Sequence, residues 1–142
     1  YNKVEAHNAL EVILSYWTET AEKPTILFLD EVDASEIDGN VTFHARNKGE
    51  PLAVILLQNT TMGEMNPAHI YSNDIATGGD IIFTFNPING DTGVSQTNVA
   101  VLNDDSVFGY AEVLGVDGHV NVLLNDIQPI TVISQGNIGS NN

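Results

Sequence analysis

Residues 25–32 are rich in β-branched and aromatic side chains, and Asp38-Gly39 marks a turn behind them. Over residues 40–46, Val41, Phe43 and Ala45 alternate with Thr42, His44 and Arg46, the pattern of a strand with one face in the core. Residues 52–57 are apolar on both faces and suit a central strand. Asn66-Pro67 opens a short segment at 68–72, and Gly78-Gly79 closes the loop after it. Alternation returns over 80–86, with Ile81, Phe83 and Phe85 on one face, before a turn cluster of Pro87 and Asn89-Gly90-Asp91. Segments at 99–102, 108–113, 119–124 and 130–134 complete the series. Spacings of roughly 8–14 residues between segments predict an all-β sandwich or barrel. No helical period is found from residue 24 onward, and Phe43, Phe83 and Phe85 read as core.

Residues 1–23 read differently, as an N-terminal appendage before a domain spanning 24–142. Ala6, Leu10, Ile13 and Trp17 fall at helical spacing, with Glu5, Glu11 and Glu22 on the watery side. The run Val12-Ile13-Leu14-Ser15-Tyr16-Trp17 has equally good strand composition, so a short helix and an extra strand both remain open. A polar stretch at 18–23 links the segment to Pro24.

Charge narrows the partners. Four Lys and Arg stand against nineteen Asp and Glu, a net charge of −15, which excludes nucleic acid because phosphate contacts need clustered basic side chains. An anionic membrane surface is disfavoured for the same reason. No apolar run approaches the roughly 20 residues that span a bilayer. With no cysteine there is no disulfide framework and no thiolate nucleophile or metal ligand. The chain starts at Tyr1 without a charged-then-apolar leader, as a mature form with its signal peptide removed would.

From about residue 29 to 142 the chain resembles the CHRD family, a module named after chordin and common in exported bacterial proteins. The likeness rests on Gly39-Asn40-Val41-Thr42-Phe43, Asn66-Pro67-Ala68-His69-Ile70-Tyr71, Gly78-Gly79-Asp80-Ile81-Ile82-Phe83, Asn89-Gly90-Asp91-Thr92-Gly93, Asp117-Gly118-His119-Val120-Asn121-Val122-Leu123 and the closing Gln135-Gly136-Asn137-Ile138-Gly139. The resemblance implies an antiparallel β-sandwich, distantly reminiscent of copper/zinc superoxide dismutase, in an exported or surface-anchored protein. It implies no catalytic activity. Together with the pattern it gives a Greek-key-like sandwich of about eight strands.

Two constellations carry candidate chemistry. The family has two histidine pairs, and imidazoles at i and i+2 of a strand point the same way, as metal ligands must. Here His69 keeps its place, but Tyr71 and Leu123 stand where the family has histidine, and His119 lies on the face of Leu123. His69, Tyr71 and His119 are the residual metal candidates, and copper or zinc is disfavoured because such sites want three or four ligands. The second constellation is the oxygen-rich turns at Asn73-Asp74, Asp80, Asn89-Gly90-Asp91 and Asn103-Asp104-Asp105, which could hold calcium but lack EF-hand spacing and read first as turns. Asn40-Val41-Thr42 and Asn59-Thr60-Thr61 match the glycosylation triplet. Nucleophile elbows, zinc-protease motifs and phosphate-cradling loops are absent.

Tyr16, Trp17, Tyr71, Phe108 and Tyr110 are the aromatic candidates for recognition. The expected function is a non-catalytic, secreted or cell-surface structural or adhesion module. Leu10, Val12, Leu14, Tyr16 and Trp17 are its partner-contact residues, adding as a strand to a neighbour's sheet edge. Its partners would be further copies of the chain, another surface protein or a glycan. The alternative is a superoxide-dismutase-like metal-binding domain, or a calcium-dependent module for carbohydrate or another partner.

Overall fold

Alternate burial starts at the first strand of the computed structural model, which describes residues 24–46, 50–127 and 130–142. In β1 (Thr25–Glu31) Leu27 and Leu29 are buried while Ile26 and Phe28 face outward. β2 (Gly39–His44) and β3 (Leu52–Leu57) follow in antiparallel hairpin order, burying Val41, Phe43, Ala53 and Ile55 completely. The remaining strands are β4 (Met65–Asn66), β5 (Ala68–Ser72), β6 (Ile81–Thr84), β7 (Ile88–Asn89), β8 (Val94–Asn98), β9 (Asp117–Leu123) and β10 (Val132–Gly139). Among the described residues one helix, α1 (Tyr110–Gly115), precedes β9. The expected appendage, and with it Leu10, Val12, Leu14, Tyr16 and Trp17, lies outside the described residues.

These ten strands form one curled antiparallel sheet in the order β4-β7-β8-β3-β2-β1-β10-β9-β5-β6. The curl is made by β1. Its residues Thr25 to Leu29 pair with β2, then Asp30 and Glu31 pair with Gln135 and Ser134 of β10. One strand thus belongs to both halves, and the apolar inner faces of those halves meet as a sandwich. The chain passes between halves again from β4 to β5, from β6 to β7 and from β8 through α1 to β9. At the core Phe83 meets Phe85 nearly edge-on at 5.1 Å, and Phe43 lies 6.5 Å from Phe85. Phe108 also packs on Phe83, at 5.7 Å, and is 1% exposed, so it is a core residue and not the recognition aromatic expected from sequence.

The fold class agrees with the sequence pattern, and the differences are local. Residues 108–113, expected as a strand, enter α1. Glu112 reaches back to accept from the Gly109 amide at 2.8 Å, satisfying one donor that a helix start leaves open, and Val113 is the apolar residue buried. Residues 99–102 make only an isolated bridge, Val101 to Val107. Conversely, β8 was missed because its inward positions are Ser95 and Thr97. Their hydroxyls are satisfied by Asn86: Ser95 Oγ donates to its carbonyl at 2.6 Å, and Thr97 Oγ1 accepts from its amide at 2.9 Å. Ile81 was expected to share the core face of Phe83 and Phe85. A bulge opposite Ile70 and Tyr71 shifts the register, and Ile81 is 44% exposed. Among the described residues no helix is long and apolar enough to cross a membrane.

Candidate functional site

Antiparallel pairing of β5 with β9 sets His69 opposite Asn121 and Tyr71 opposite His119. All four side chains share the sheet face turned away from the core, since Ala68, Ile70, Val120 and Val122 between them are buried inward. The sequence candidates His69, Tyr71 and His119 are therefore brought together. The Tyr71 ring stacks on His119 at 5.4 Å and 15°, and meets His69 edge-on at 5.9 Å.

His119 is 3% exposed and its Nδ1 lies 2.8 Å from the Asn73 carbonyl. A carbonyl only accepts, so Nδ1 carries a proton and donates it to this bond. On His69 the buried Nδ1 has no hydrogen-bond partner, and neither has the buried Oδ1 of the opposing Asn121. Burial lowers the His69 pKa from its ordinary 6.5 and raises that of Tyr71 above 10.0. The cluster is thus a phenol ring set between two imidazole rings. It offers two imidazoles, and among the described residues no group of three or more His, Asp or Glu is placed to hold a metal ion. Leu123 is 4% exposed and apolar.

A pH dependence follows from His69. Its charged form is disfavoured in the fold and not in the unfolded chain, so the native state is unpenalised above pH 6.5. Stability then falls as pH drops through 6.5 towards the depressed native value. Urea unfolding at about pH 7.5 and about pH 5.5 should show a smaller loss in His69→Gln than in the parent chain, and equal losses would exclude His69 as the source.

Carboxylates in three of the acidic turns accept hydrogen bonds from backbone amides. Asp74 Oδ1 accepts from the Thr77 amide at 2.8 Å, Asp104 Oδ1 from the Ser106 amide at 2.9 Å, and Asp91 Oδ1 from the Gly63 amide at 2.7 Å. Hydrogen bonds from Thr77 and Ser106 lower the Asp74 and Asp104 pKa values from 3.8. In the 89–93 turn the left-handed residue is Gly93, with φ +74° and its amide on the Asn89 carbonyl at 2.7 Å. Asn59 Nδ2, in one glycosylation triplet, donates to the Glu36 carbonyl at 2.8 Å.

A second surface was not picked out from the sequence. The outward residues of β1 and β3 include Ile26, Phe28 and Leu56, exposed by 51%, 71% and 45%. Beside Phe28 a shallow cleft is lined by Asp30, Asp38, Asn40 and Gln58. The signal available was that residues 26–29 are apolar on both faces, a pattern that reads as a strand covered on both sides. Compared with protein-family models, with curated proteins and with solved structures, the chain matches none.

Proposed function

We propose that the chain is a non-catalytic structural or adhesion module of the cell surface or extracellular space, of the CHRD type, self-associating through strand addition by residues 9–17. The observation that supports this reading is a sheet that curls without closing. It ends in β4 and β6, and a strand at the end of a sheet leaves a row of amides and carbonyls for another chain to pair with, although on β6 the Ile82 carbonyl is already taken by the Asn103 amide at 2.9 Å. β6 is the longer of the two, with four residues against two. The donor would be Leu10, Val12 and Leu14, which alternate at strand period, with Tyr16 and Trp17 as anchors.

Light scattering of the full chain tests the proposal. Oligomers or polymers are expected, reverting to monomer in the full chain carrying Val12→Asp and Leu14→Asp and in the chain lacking residues 1–22. A monomeric parent chain, or association that survives both changes, overturns it.

A further inference from the structure

We infer that the outer face of β1 to β3 is a docking surface for a basic protein segment, one presenting Lys or Arg side chains along an apolar strand or loop. Three apolar side chains lie in the open on β1 and β3, either side of β2. Phe28 pairs in register with Asn40 of β2, which in turn pairs with Leu56 of β3, while Ile26 stands two residues before Phe28 on the same face. Exposed apolar groups grouped this way mark contact surfaces more often than scattered single ones do.

Charge complementarity selects the occupant. The cleft beside Phe28 carries the Asp30 and Asp38 side chains, both exposed, and among the described residues neither carboxylate has an ionic or hydrogen-bonded side-chain partner. Arg46, the only Lys or Arg among the described residues, is used elsewhere, donating to the Glu50 carbonyl and to Asn98 Oδ1. A Lys or Arg stem laid along Phe28 would bury methylenes on the ring, gain a cation–π contact and bring its charge to the two aspartates. A second copy is a poor occupant of this cleft, because Arg46, its one Lys or Arg among the described residues, is already engaged. The surface lies wholly in the described domain and does not depend on strand addition by residues 9–17.

The test uses the full chain and a short labelled peptide alternating Lys with Leu, followed by fluorescence anisotropy at moderate salt. Phe28→Ala and the pair Asp30→Asn with Asp38→Asn should each weaken binding about tenfold. The charge-matched control, Glu64→Gln with Asp126→Asn, should stay within about twofold of the parent. These side chains are exposed, so circular dichroism should be unchanged throughout. Absence of binding by the parent overturns the inference. So does an equal loss in the control pair, which would reduce the effect to general attraction by net charge. So does wild-type binding by Phe28→Ala, or self-association of the parent chain that Phe28→Ala abolishes. The variant lacking strand addition, Val12→Asp with Leu14→Asp, should bind the peptide as the parent does, which separates failure of this surface from failure of the assembly reading.

Discussion

Truncating Phe43 to alanine should destabilise the domain by about 3–5 kcal/mol and lower its melting temperature by roughly 10 °C or more. The ring is fully buried on β2, the strand flanked by β1 and β3, and packs against Phe85 from the β6–β7 connection. It therefore touches chain from both halves of the sandwich, and neither half can move in to fill the space without leaving its own ladder. Phe43→Leu, which keeps most of the volume, should cost under about 1.5 kcal/mol. Urea unfolding decides the matter: a loss below about 1 kcal/mol for the alanine variant would mean that the ring is not wedged between the halves.

Gly136→Ala should be nearly as damaging, at about 3 kcal/mol, although it adds one carbon atom. A Cβ at this position would stand 2.1 Å from the Phe28 carbonyl oxygen and 3.3 Å from a Leu29 methyl group. Nothing flexible is available to yield, because the obstacle is the backbone of β1 where it transfers from β2 to β10. The two strands would have to part at the point that joins the sandwich halves. Thermal unfolding should show the drop, whereas alanine at Gly115, where an added Cβ meets nothing within 4 Å, should leave stability within about 0.5 kcal/mol. Equal behaviour of the two variants would contradict the close approach.

Legibility from sequence followed side-chain polarity. The limits of β3 and β5 could be read directly, because apolar runs there are bounded by turn residues. β8 could not, because its inward positions are hydroxyl side chains whose partner, Asn86, is supplied by a separate turn. The helix at Tyr110–Gly115 is too short to show a period, and its start is marked by a single Glu112 contact. The meeting of His69, Tyr71 and His119 was anticipated, since alternation gives the face. Its consequence was not: whether rings ligate or stack depends on cross-strand register, and the register puts Tyr71 on His119. The exposure of Phe28 depends on what covers the outer face of β1, which alternation within one strand does not state.

The double membership of β1 bears on how the molecule comes into being as a chain. Ser134 donates to the carbonyl of Asp30 across 104 positions, and the pairing it belongs to completes the curl. A chain emerging from its N-terminus can form the β1–β2–β3 meander early, but the last two residues of β1 stay unpaired until β10 arrives. Closure on this scale loads the search with loop entropy and places the domain among slow folders of high contact order. Until that moment the incomplete chain keeps an unpaired strand end in the open, so for this fold the interval between synthesis and closure is the period of greatest exposure to unwanted pairing.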